Sequence, residues 1–192
     1  MPTEAHGQTD EIFISVDIEC DGDIPGDYSM LSIGATTLGN EHERDFYVEL
    51  RPMTERYNPQ SMTVANLDRT RLLHEGVPAQ EATAQFAAWI KEVCELHGCA
   101  KAVCVTLSEW DNGWLYWYFV HFLGQKPFGF TGIDIKSYFM GKHDLKKFAG
   151  TYRTEMLKHY PSEIEHTHNA LDDAREQAEI FWGMYKAQTS LS

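Results

Sequence analysis

The sequence predicts an α/β domain built on a mixed β-sheet flanked by helices, and three observations carry that prediction. Residues 12–18 are an almost continuous apolar, β-branched run, which is how a strand buried on both faces reads. Two further strand-like runs follow at short spacing, as in antiparallel hairpins. After them helix and strand patterns alternate, the order found in α/β domains. The chain has 192 residues, 43% of them hydrophobic, which suits one domain with a full core.

In chain order, the first strand runs from Ile12 to Glu19 and enters a turn-rich loop over residues 21–27. Tyr28 to Leu38 reads as a second strand, and Asp45 to Leu50 as a third that alternates apolar and polar side chains. One short helix is expected around Thr63 to Leu73. Pro78 opens an amphipathic helix through Ala84, Phe86, Ala87, Ile90, Val93 and Cys94. Lys101 to Leu107 holds another buried strand, and the aromatic segment Trp114 to Leu123 a helix. A last short strand is expected within Phe128 to Ile135, then a short helix over Ser137 to Met140. The final helix, Ala170 to Ala187, puts Ala174, Ala178, Phe181 and Tyr185 on one stripe. Asn169 stands as its N-cap, with Asp172 in the reciprocal capping position.

The net charge of −13 argues against a protein that grips long nucleic acid through a broad basic surface. It leaves room for an enzyme that takes short or single-stranded ends into a metal-filled cleft, where bound cations cancel part of the charge. The cysteines Cys20, Cys94, Cys99 and Cys104 show no CxxC pairing, so a reducing, cytoplasmic setting is expected. No apolar run reaches the ~18 residues of a membrane span. Residues 1–10 are polar, lack the apolar core of a signal peptide and read as a flexible N-terminus.

Function is announced by an electrostatic oddity in the first strand. Asp17 and Glu19 are two residues apart, so both carboxylates point to the same side of a buried strand. There they repel each other and lose hydration unless a cation sits between them. Oxygen ligands suit Mg²⁺ or Mn²⁺. Asp111 lies just beyond a buried strand, at the start of a helix, where α/β sheets place their sites. Asp173 lies in the first turn of the last helix, and His168 precedes that helix, free to turn back over the same cleft.

The ordered set Asp17-x-Glu19, Asp111 and His168-x4-Asp173 resembles the DEDDh group of 3′–5′ exonucleases, which has the ribonuclease H-like fold. The resemblance spans residues 12 to about 185 and marks residues 11–188 as a single exonuclease-like domain. Asp17-Ile18-Glu19-Cys20-Asp21-Gly22 is similar to the group's D-x-E-T-T-G, with Cys20 and Asp21 in place of the threonines. His168-Asn169-Ala170-Leu171-Asp172-Asp173-Ala174 is similar to its H-x-A-L-x-D-A signature. The middle motif, often H-N-x-x-F-D, keeps only its aromatic-Asp end, Trp110-Asp111.

The resemblance implies hydrolysis of phosphodiester bonds at the 3′ end of single-stranded or short RNA or DNA. Asp17, Glu19, Asp111 and Asp173 would hold two ions, Mg²⁺ or Mn²⁺, about 3.5–4 Å apart, one activating a water and the other stabilising the departing 3′ oxygen. His168 would be the general base. Cys20, Asp21, Gly22 and Trp110 are the expected substrate contacts, no membrane is involved, and a homodimer is compatible with this reading.

Other readings have less support. The string Asp17, Glu19, Asp21, Gly22 mimics an EF-hand loop, but Tyr28 occupies the position that needs a bidentate Glu. His159, His166 and His168 lack the spacing of a zinc cluster, and His166 reads as a loop histidine. Trp110, Trp114, Trp117, Tyr118, Phe119 and Phe122 read as a helix-core stripe with Trp110 the exception, rather than as a base-stacking platform. A non-catalytic exonuclease-like binding module would have lost a ligand or the base, whereas all five positions are filled. A phosphodiesterase of small nucleotides stays open as an alternative.

Overall fold

The computed structural model describes residues 11–39 and 44–189; the N-terminus at 1–10 lies outside the described residues. Five strands form one mixed sheet in the order β3-β2-β1-β4-β5. They are β1 (Glu11–Cys20), β2 (Met30–Thr37), β3 (Asp45–Glu49), β4 (Lys101–Thr106) and β5 (Ile133–Asp134). The first three pair antiparallel, as their short connections require, while β4 joins β1 in parallel and β5 joins β4 in parallel. The apolar run of β1 thus occupies the centre of the sheet, with neighbours on both edges.

Two helical layers cover the sheet. On one face, α3 (Ala79–His97) and α4 (Glu109–Leu123) bury Phe86, Trp89, Trp114, Tyr118 and Phe119 against Ile12, Ile14, Val16 and Ile18. On the other, α5 (Ile135–Lys142), α6 (Arg153–His159) and α7 (Ala170–Thr189) pack Phe139, Met156, Phe181 and Met184 around Val105 and Leu38. In the aromatic stripe Trp114, Tyr118 and Phe119 are therefore core, Trp117 and Phe122 pack partly buried against it, and Trp110 is 44% exposed.

Local signals moved several boundaries. The helix expected over Thr63–Leu73 is two helices, α1 (Pro59–Ala65) and α2 (Arg69–Glu75). Asn58 caps α1 ahead of Pro59 at its first position, Asn66 ends it with φ 51°, and Asp68 caps α2. The α4 helix begins at Glu109, five residues earlier than the aromatic run suggests, so Asp111 stands in its first turn. The strand within Phe128–Ile135 shrinks to two residues because Asp134 caps α5 by accepting from Ser137 N. The 3₁₀ turn Phe148–Thr151 and α6 carry no pattern strong enough to read from the sequence.

One close approach sets the position of α7. Gly34 on β2 is paired with Asp17 on β1, and the first turn of α7 lies directly on it. A Cβ there would stand 2.1 Å from the Ala170 carbonyl carbon and 2.2 Å from Leu171 N. Only glycine lets the helix that carries Asp173 come down to the strand that carries Asp17. Gly34→Ala is expected to cost about 1–3 kcal/mol through overpacking, or roughly 2–4 °C in Tm for each kcal/mol. Gly113→Ala, where a Cβ meets nothing within 4 Å, should melt no lower than the parent. Thermal melts of the two variants check this.

Candidate active site

Three chain segments meet at the carboxyl ends of β1 and β4. The end of β1 supplies Asp17 and Glu19, the first turn of α4 supplies Asp111, and the first turn of α7 supplies Asp173. Carboxylate oxygens of Asp17, Glu19 and Asp173 lie within 4.8 Å of one another. Glu19, Asp111 and Asp173 are buried, and Asp17 is partly so. Asp17, Glu19 and Asp173 form the floor of a cleft of about 470 Å³ whose walls include Cys20, Asn58, Val64, Trp110, His166 and His168; Asp111 lies behind this lining, near enough to repel Asp17 and Glu19.

Three of the four carboxylates have one oxygen tied to the protein. Gln177, 160 residues away on α7, donates from Nε2 to Asp17 Oδ1 at 2.7 Å and accepts from Leu107 N at 3.1 Å. Ser108 Oγ donates to Asp111 Oδ2 at 3.2 Å. Thr167 N donates to Asp173 Oδ1 at 3.0 Å, and His166 Nδ1 lies 3.0 Å from the same oxygen. A carboxylate can only accept, so Nδ1 is the protonated nitrogen of His166 in that contact. Among the described residues Asp17 Oδ2 and Asp173 Oδ2 have no such partner, whereas backbone N–H groups of Ser108 and Asp111 also reach the Asp111 carboxylate.

The electrostatics make the group unfavourable as it stands. Burial, then repulsion from Asp173 and Asp111, pushes the Glu19 carboxyl up to about 8. Burial, then Asp111, Glu19 and Asp173, raises Asp17 well above the usual range. Burial raises Asp111 to about 6 against the Ser108 hydrogen bond, and raises Asp173 against the Thr167 N–H. Among the described residues no ion pair reaches Asp17, Glu19 or Asp111. Clustered, partly anchored oxygens without a cationic partner fit a hard divalent ion such as Mg²⁺ or Mn²⁺.

His168 arches over this floor with φ 57°, in the left-handed region that few non-glycine residues adopt. Two bonds secure the turn into α7: Asn169 N donates to Thr167 Oγ1 at 3.3 Å, and Asn169 Oδ1 accepts from Leu171 N at 3.0 Å. Asp172 does not return the reciprocal capping bond; its carboxylate accepts from Thr167 Oγ1 instead. The imidazoles of His166 and His168 stand 4.5 Å apart in an edge arrangement. His166 is in a loop as expected, yet it is tied to Asp173, a role that only the fold reveals. His159 instead packs against His143 and Phe139.

Of the expected substrate contacts, Cys20, Gly22 and Trp110 line the cleft, and Asp21 does not. Asp21 is fully buried: Oδ1 accepts from Ser29 N at 2.6 Å and Oδ2 from Arg69 Nε at 3.0 Å. Its carbonyl accepts from Asn58 N at 2.7 Å, which fastens α1 beside the cleft. The extra carboxylate beside the two acids is thus a brace for the wall, with Arg69 supplying its counter-charge. Gln60, Ser61 and Val64 of α1 also line the cleft, and no motif marks them. Gln177 and Glu176 follow the last signature directly, but nothing in their spacing distinguishes them from surface helix residues.

A sheet of this order, flanked by helices on both faces, is the ribonuclease H-like fold, and the four acids and the histidine stand at its carboxyl edge. The chain belongs to the RNase T exonuclease family, whose pattern matches residues 14–181, and it is a 3′–5′ exonuclease. It is 38% identical over 171 residues to the 3′-5′ DNA exonuclease Cap18 of Escherichia coli, covering 89% of this chain and 90% of that one. The nuclease domain of 3′hExo, a DEDDh family member solved with rAMP, superposes with a TM-score of 0.72 at 17% identity over 92% of both chains. E. coli Exonuclease I in complex with a dT13 oligonucleotide gives 0.73 at 12% identity, over 94% of this chain and 42% of that one. At such identities the structural likeness carries the fold alone. Among the described residues no helix is long and apolar enough to cross a membrane.

The raised carboxyls have a consequence for stability. A carboxyl whose folded pKa lies above its unfolded value stabilises the fold at low pH and loses that contribution as pH rises through the folded pKa. For Glu19 that window runs from about 4.5 to about 8, and for Asp111 from 3.8 to about 6. In EDTA, the Tm of the protein is expected to fall from pH 5 to pH 8 more steeply than that of Asp17→Asn. Added Mn²⁺ should raise the parent's Tm more at pH 8 than at pH 5. Differential scanning fluorimetry reads both; a metal-free Tm that rises through this window contradicts the electrostatic account.

Proposed function

We propose that this exonuclease removes nucleotides from the 3′ end of single-stranded or short DNA, using two divalent cations and His168 as general base. The observation that carries the reading is the convergence of Asp17, Glu19 and Asp173 beneath His168 on one cleft, with buried Asp111 close enough to act on the first two. DNA is favoured because the relative at 38% identity is named a DNA exonuclease. The acidic chain, at −13, suits capture of an end better than wrapping of a long duplex.

Asp17, Glu19, Asp111 and Asp173 would hold the cations, Mg²⁺ or Mn²⁺, through carboxylate oxygens. When bound, such a pair supplies charge neutralisation at the phosphate and activation of the attacking and leaving oxygens. His168 takes a proton from the attacking water as its oxygen bonds to phosphorus. The bond to the 3′ oxygen of the preceding nucleotide breaks, releasing a nucleoside 5′-monophosphate. Trp110, exposed in the lining of the cleft, would offer its ring to the terminal base.

The test uses 5′-labelled single-stranded DNA, single-stranded RNA, duplex DNA and dinucleotides with Mg²⁺ or Mn²⁺. A ladder shortening from the 3′ end, strongest on single-stranded DNA, is expected. Asp17→Asn, Glu19→Gln and Asp173→Asn should abolish it with the fold retained, whereas His168→Ala should lower turnover strongly and keep metal binding. Trp110→Ala should raise KM about 5- to 150-fold, the equivalent of about 1–3 kcal/mol of stacking. Full activity of His168→Ala would remove it as the base, and faster cleavage of RNA would reverse the sugar preference.

A further inference from the structure

One group of charged side chains beside the site has no part in the reaction described above. Glu176 lies one turn along α7 from Asp173 and is only 1% exposed. An unpaired carboxylate there would add to a crowd of like charge, and its repulsion does raise Asp173. Arg153 of α6 meets it with a two-pronged contact: Nε donates to Oε2 at 2.7 Å and Nη2 to Oε1. His166 completes the chain of contacts, its Nδ1 3.0 Å from Asp173 Oδ1 and 3.6 Å from Glu176 Oε2.

The order Arg153, Glu176, His166, Asp173 joins two helices and a loop. His166 sits in an exposed segment that is neither helix nor strand, so its ring needs partners to hold one orientation. Glu176 Oε2, 3.6 Å from Nδ1, flanks the ring on one side, and the shorter 3.0 Å contact directs Nδ1–H at Asp173. With Thr167 N–H on the same oxygen, Asp173 Oδ1 has both of its acceptor directions used. Asp173 is left with Oδ2 toward the cleft. Arg153 in turn holds the Glu176 carboxylate in place and supplies its counter-charge.

We propose that Arg153, Glu176 and His166 are positioning residues that orient Asp173 for cation binding. The inference rests on the metal-dependent reading of the site. Its measurement is therefore Mn²⁺ binding without substrate, followed by the paramagnetic resonance signal of free Mn²⁺, with metal-free melts in parallel. Glu176→Gln and Arg153→Gln should each weaken Mn²⁺ binding about 10-fold or more, the usual effect of losing an outer partner of a metal ligand. Arg175→Gln, on an arginine of the same helix that pairs with Asp45 and Asp172 instead, should bind as the parent does.

The double variant Arg153→Met with Glu176→Met removes the ion pair and fills its volume, and should show the same weakening at an unchanged melting temperature. Parental Mn²⁺ affinity in that double variant would overturn the proposal, because the single variants would then report only an unpaired buried charge. Parental affinity in both single variants, with Asp17→Asn deficient, would overturn it as well and leave the metal reading intact. Parental affinity in Asp17→Asn would instead overturn the metal reading itself.

Discussion

The repulsion among Asp17, Glu19, Asp111 and Asp173 is the constraint on which the rest of the structure depends. Each is held in low-dielectric surroundings beside the others, and each is pushed toward its protonated form. A fold that gathers four such groups must tolerate an unfavourable contact at its centre, and it does so by making everything around that contact well packed. The central strand β1 is bonded on both sides, and its apolar residues anchor both cores. The instability is thereby confined to one edge of the sheet, where a divalent cation can relieve it.

The same edge shows how precisely the acids are aimed. Gln177 reaches Asp17 from α7, Ser108 reaches Asp111 from its own cap position, and Thr167 reaches Asp173 from the loop ahead of the helix. At Asp17 and Asp173 these bonds take one oxygen and leave the other. Gly34 brings α7 close enough for these contacts by admitting its backbone onto the strand. On the opposite wall, Asp21 and Arg69 fasten α1 and the loop after β1, so that the cleft has a fixed floor and a fixed side.

Charge elsewhere follows from this arrangement. Buried acids outside the cation group each have an arginine: Asp21 has Arg69, and Glu176 has Arg153. The acids of the cleft floor have none among the described residues, apart from the contact of His166 with Asp173. That division separates carboxylates that hold the fold together from those left available to a ligand.

Much of this molecule is local and therefore legible in one dimension. Burial on both faces writes β1 as an apolar run, side-chain alternation puts Asp17 and Glu19 on one side, and the cap at Asn169 marks where α7 begins. The pattern Asp17, Glu19, Asp111, His168 and Asp173 was readable because the first two alternate along that strand and the other three sit at helix starts that their own neighbours define. What one dimension could not carry was any relation across the sheet. Asp21 looked like a neighbour of the acids and is instead the partner of Arg69, 48 residues on. His166 looked like a loop residue and is bonded to Asp173, while no sequence signal marks Glu176 or Gln177. Their roles are decided by what lies opposite them, and that follows from the packing of α7 onto β1 and β2 and the reach of Arg153 from α6, not from any spacing along the chain.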